Sequence, residues 1–94
     1  MTIKEFQSLI RDRYFKTDSE RGVSGTFLWL TEEFGELAHA LAQFERGDAD
    51  IENLQEEFAD VLAWLATIAN ITGIDLTEAV LEKYVKNGCP EGEK

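Results

Sequence analysis

Four carboxylates stand in two matched pairs: Glu33 and Glu36 within EEFGELAHAL (residues 32–41), Glu57 and Asp60 within EEFADVLAWL (residues 56–65). In both stretches Glu-Glu-Phe is followed by a small residue, an acid and a branched apolar residue. Residues three apart share a helix face, so each pair forms an acidic patch one turn tall. Between the stretches lies a turn signal, Arg46-Gly47-Asp48-Ala49-Asp50. Folding there into an antiparallel hairpin brings Glu33 level with Asp60 and Glu36 level with Glu57. Four acids gathered beside apolar side chains repel one another and require a counter-charge. A hard divalent cation supplies it: Mg²⁺, which keeps several waters and recruits substrate phosphates, or Mn²⁺, which also suits an all-oxygen site. The plainer reading is a solvated acidic face. The chain holds 19 acids, and Glu45/Asp48 and Asp75/Glu78 repeat the spacing at turn and cap positions. The repeated context, the mid-helix location and the matched heights favour the metal.

The elements that must position these acids are all helical. Thr2-Ile3-Lys4-Glu5 fits a capping box, and Ile3, Phe6, Leu9, Ile10 and Tyr14 follow at helical spacing, so a first helix is expected from about Ile3 to Phe15. Lys16–Gly25 is polar, contains two Gly and reads as a loop. A second helix is expected from near Ser24 or Thr26 to near Phe44, with the core stripe Phe27, Leu30, Phe34, Leu37, Leu41 and Phe44. Asp50 can cap a third helix ending at about Thr72, with the stripe Leu54, Phe58, Val61, Leu65 and Ile68, and Gly73 stops it. Asp75-Leu76-Thr77-Glu78 opens a fourth helix, which runs to about Asn87 before Gly88 and Pro90. No segment shows sustained strand alternation. The expected architecture is all-α, a four-helix bundle forming a single domain over residues 1–94.

Composition bounds the function. The run FADVLAWLATIANI is apolar on nearly every helical face, and such a helix must be buried all round. In a chain of 94 residues that predicts self-association, as a homodimer or homotetramer. A net charge of −10 speaks against nucleic-acid binding, which needs basic patches. One Cys, Cys89, gives neither an intrachain disulfide nor a Cys-based zinc site. No apolar run reaches the ~20 residues of a membrane span, and the N-terminus opens on an amphipathic pattern instead of a signal peptide. The expectation is a cytoplasmic protein with no membrane partner.

The two acidic motifs, EExxE at Glu32–Glu36 and ExxD at Glu57–Asp60, resemble those of the MazG-like all-α nucleoside triphosphate pyrophosphohydrolases. The similarity extends to Arg21-Gly22, to Gly73-Ile74-Asp75-Leu76 and to Lys83 and Asn87 on the last helix. The resemblance implies Mg²⁺-dependent cleavage of a nucleoside triphosphate to monophosphate and pyrophosphate, with metal-activated water attacking the α-phosphorus. In that family Glu33, Glu36, Glu57 and Asp60 correspond to the metal ligands, and Glu32 belongs to the motif as outer shell, base or surface residue. A phosphoribosyl-ATP branch is disfavoured because Ala59–Leu65 lacks a His; a dUTP- or dCTP-specific branch stays open. The rival outside the family is a non-enzymatic acidic helical dimerisation module.

Further residues are candidates for substrate contacts. Lys83 and Asn87 lie one turn apart and suit a phosphate or sugar, or simply a solvated helix end. Trp29 and Trp64 fall one turn from the acids, where a base can stack, although Trp more commonly packs in cores and interfaces. Asn53 lies at the other end of the acidic stripe as a possible polar contact. His39 is off the stripe and reads as a surface or interface residue. Arg11, Arg13, Lys16 and Arg21 either close over phosphates or form surface ion pairs.

Overall fold

A computed structural model describes residues 1–86 and 88–92. Helix α1 spans Ile3–Glu45. The capping box forms as the sequence predicts: the Thr2 hydroxyl accepts the Glu5 N–H at 3.1 Å, and the Glu5 carboxylate accepts the Thr2 N–H at 2.8 Å. One residue interrupts α1. Gly22 has φ 79 and ψ 178, a region that only glycine enters without strain. The break divides α1 into an N-terminal and a C-terminal limb.

The polar stretch Lys16–Gly25 is therefore helix on both sides of one glycine, not a loop. Composition misleads there because the helix is held by tertiary packing, not by propensity. Asp18 continues the face of Ile10 and Tyr14, is itself buried, and pairs with Arg21 one turn on, at 3.1 Å.

Helix α2 (Ile51–Thr72) is capped by Asp50, whose carboxylate accepts the Asn53 N–H at 3.1 Å, and stops at Gly73 in the left-handed region, φ 76 and ψ 24. Helix α3 (Leu76–Val80) starts under Asp75, which accepts the Glu78 N–H at 3.2 Å, and runs into a π-helical segment, Leu81–Lys86. The expected last helix is thus present in two windings. Among the described residues there is no strand, and no single helix is long and apolar enough to cross a membrane.

One side chain locks the N-terminal limb to the far end of the hairpin. The Gln7 amide nitrogen donates to Asn70 Oδ1 at 3.0 Å and to the Ile74 carbonyl at 2.7 Å, while its oxygen accepts the Leu76 N–H at 2.9 Å. Asn70 returns a bond to the Gln7 carbonyl at 3.2 Å. The turn at Gly73 and the start of α3 are thereby tied to α1.

The buried apolar set is small: Ile10, Leu30, Ala40, Val61, Ala66 and Ala69. Leu30 and Val61 belong to the predicted core stripes, but Phe27, Phe34, Leu41, Phe44, Phe58 and Leu65 are exposed. Two helices share only one seam. That seam runs along Leu30, Ala40, Glu57 and Val61 and through a Trp29–Trp64 contact, so the aromatic stripes beside it face outward.

Candidate functional site

The seam assembles the acids. One carboxylate oxygen each from Glu33, Glu36 and Glu57 lies within 4.8 Å of the other two. Glu33 and Glu36 come from the C-terminal limb of α1, Glu57 from the facing turn of α2. The antiparallel register inferred from the central turn is visible in a second pair: Trp29 and Trp64, one turn further from the turn, stack with ring centroids 6.2 Å apart and planes 11° from parallel.

The electrostatics are those of charges in want of a cation. Partial desolvation raises the Glu33 carboxyl above its ordinary 4.5, and the charges of Glu36, Asp60, Glu57 and Glu32 add to it. Glu57 is raised first by desolvation, then by the charge of Glu36, by a hydrogen bond shared with Glu36, and by Asp60 and Glu56. Glu33 Oε2 and Glu57 Oε2 are shut off from solvent without a hydrogen-bond partner among the described residues. Orphaned carboxylate oxygens are costly, and a hard cation is the ligand an all-carboxylate set fits. Asp60 is exposed and stands outside the triad, yet its charge acts on both Glu33 and Glu57.

Two recesses flank the acids. On the side of the turn, an open crevice of about 540 Å³ is lined by Glu32, Gly35, Glu36, His39, Asn53 and Glu57. It brings Asn53 and Glu32 to one crevice together with His39, which spacing alone left off the stripe, near its edge. On the other side, a cleft of about 370 Å³ opens between the N-terminal limb and α2, with Tyr14, Asp18 and Arg21 facing Ala63, Trp64 and Thr67. The Arg21 guanidinium lies 4.9 Å from the Trp64 ring centroid and reaches Thr26 Oγ1 at 3.4 Å. Gly25 makes room for it: a Cβ there would sit 2.8 Å from Arg21 Cγ.

Sequence reasoning does not find Tyr14 and Asp18 as cleft residues: Tyr14 reads as part of the first helix's apolar stripe, and Asp18 falls in the stretch expected to be loop. Their helical spacing from Ile10 was the available signal. Lys83 lies on the π-helical segment with its ammonium 5.4 Å from the Tyr84 ring centroid. Asn87 lies outside the described residues.

A family model for the MazG nucleotide pyrophosphohydrolase domain matches residues 21–88. The chain belongs to the MazG family. The matched segment contains the acidic triad, Asp60, both Trp and Lys83, so the helical MazG hairpin and the acids on its seam fall inside it. Its members are in general nucleotide pyrophosphohydrolases. The segment begins at Arg21, leaving Tyr14, Asp18 and most of the N-terminal limb ahead of the MazG match. No curated protein sequence matches the chain.

Proposed function

We propose that the protein hydrolyses nucleoside triphosphates to nucleoside monophosphate and pyrophosphate in a Mg²⁺-dependent reaction. The observation that carries the reading is the convergence of Glu33, Glu36 and Glu57, two of them with buried oxygens unpartnered among the described residues, in a chain of the MazG family. These three and Asp60 would hold the cation, Mg²⁺ or Mn²⁺. When bound, the cation supplies charge neutralisation at the phosphate oxygens and a water of lowered pKa for attack on the α-phosphorus.

The chain's own residues do the rest. Glu32, on the rim of the crevice and outside the triad, accepts the proton of the attacking water. Asn53 lines the same crevice and offers an amide to the polyphosphate. Lys83, on the last helical segment, and Asn87 contribute phosphate or sugar contacts. The base lies toward Trp64 and Trp29. Trp64 follows Asp60 by four residues, about 6 Å along the helix axis, a separation a ribose can bridge.

We further propose that the exposed apolar faces of α1 and α2 are covered by a second copy of the chain. Phe27, Phe34, Leu41 and Phe44 on one helix and Phe58 and Leu62 on the other are each at least two-fifths exposed, and large apolar side chains left exposed together mark a protein–protein contact.

Product analysis tests the reaction. The purified protein is incubated with common and modified nucleoside triphosphates in Mg²⁺, in Mn²⁺ and in chelator, and the products are resolved by chromatography. Monophosphate and pyrophosphate, formed only with metal and lost in Asp60→Ala, are expected. Diphosphate with orthophosphate would place the attack on the wrong phosphorus. No turnover and no metal binding would leave an acidic dimerisation module.

A further inference from the structure

The cleft between the N-terminal limb and α2 contains a carboxylate that the hydrolytic reading does not use. Asp18 is 4% exposed. Its Oδ1 holds Arg21 at 3.1 Å, while its Oδ2 is buried with no hydrogen-bond partner among the described residues. A carboxylate oxygen can only accept, and leaving one buried and unmatched is costly unless a donor arrives. The same side chain lines the cleft beside Trp64, Tyr14 and Arg21. That cleft continues the helix face carrying Asp60: Ala63, Trp64 and Thr67 follow it by three, four and seven residues, within about 10 Å along the axis.

We propose that Asp18 determines base specificity by accepting an N–H from an exocyclic amino group, so that adenine and cytosine nucleotides are preferred over their keto counterparts. The inference rests on the cleft serving as the base subsite of the hydrolytic reading. The depth of the two polar groups sets the direction of readout. The Asp18 side chain is 5% exposed and the Arg21 side chain 24%, so the exocyclic group farthest from the glycosidic bond meets the carboxylate. In adenine and cytosine that group is an amine, with a ring nitrogen acceptor beside it for the Arg21 guanidinium. In hypoxanthine and uracil it is a carbonyl, which faces the carboxylate acceptor to acceptor. Arg21 fixes the Asp18 rotamer, and Trp64 and Tyr14 line the cleft with flat rings. Asp18 and Tyr14 precede the family-matched segment, whereas Arg21 and Trp64 lie within it.

The test measures binding and turnover separately. The chain has two Trp residues, both in the stacked pair next to the cleft, so their fluorescence reports base binding without catalysis. AMP is titrated against IMP and CMP against UMP, and kcat/KM is measured on the four triphosphates. The amino member of each pair should win by about tenfold or more in both measurements. Asp18→Asn, whose amide can turn to donate, should bring both ratios to within about threefold. Equal affinity within each pair overturns the assignment of Asp18, and so does an Asp18→Asn protein that keeps the full preference. Should Asp18→Asn not fold, the wild-type pairs decide alone. Selective binding of AMP and CMP without turnover of any triphosphate would instead sink the hydrolytic reading and leave the base readout standing.

Discussion

If the acidic triad is a metal site, its three carboxylates destabilise the metal-free fold and stabilise the loaded one. The perturbation is Glu57→Gln, read by thermal unfolding with and without Mg²⁺ at fixed protein concentration. Glu33 and Glu57 are both raised above the ordinary 4.5, chiefly by desolvation and then by neighbouring acids. The folded chain therefore binds more protons at these groups than the unfolded chain does above that pH. Their stabilising contribution is complete below about 4.5 and is lost as pH rises through the folded values. In chelator the wild type should lose stability, relative to Glu57→Gln, as pH climbs from 4.5 toward 7, and the variant should melt no lower than the wild type at pH 7. Mg²⁺ reverses the order. At a hundred times its dissociation constant it stabilises by about 2.7 kcal/mol, which for a chain of this length raises the midpoint by about 11–22 °C. A hundredfold weaker site in Glu57→Gln retains about 0.4 kcal/mol at the same Mg²⁺ concentration, or about 2–3 °C. A variant that melts lower than the wild type by the same amount with and without Mg²⁺ would refute the argument. The carboxylate would then be a structural member of the seam.

Three further outcomes follow from the fold. Gly22→Ala should cost about 1–3 kcal/mol by chemical denaturation, because φ 79 with ψ 178 is closed to a side chain, and it should weaken nucleotide binding as Arg21 and Asp18 shift; an unchanged midpoint would mean the break relaxes freely. Leu30→Ala, at a position 3% exposed on the seam, should cost about 2–5 kcal/mol. Phe58→Lys should lower the mass measured by sedimentation or light scattering if a second copy covers that face, and a wild type already monomeric at micromolar concentration would refute the covering.

The acids and the hairpin were legible for a shared reason. Two helices joined by a short turn obey a simple register, and the Glu36–Glu57 and Trp29–Trp64 contacts are its direct consequence. Caps were legible as well, because Thr2, Asp50 and Asp75 act within four residues of themselves. The aromatic stripes misled. Periodicity reveals that a face is apolar, but not whether the same chain or another copy covers it, and here the seam lies to one side of Phe34 and Phe58.

The stretch from Lys16 to Gly25 fails in a more instructive way. Its polar residues and two glycines read as a loop. In the structure one of those glycines makes a single rigid bend, and the other clears a path for Arg21. Burial of Asp18 depends on α2, some 45 residues further along the chain, which no local window contains. A carboxylate buried beside one cation, with its second oxygen unmatched among the described residues, is hard to justify by stability, since an apolar residue of similar size would cost less there. That conflict between local sequence and local environment is where function is expected to reside, and the proposed base readout would accordingly sit on the N-terminal limb, apart from the hairpin acids proposed to carry the reaction.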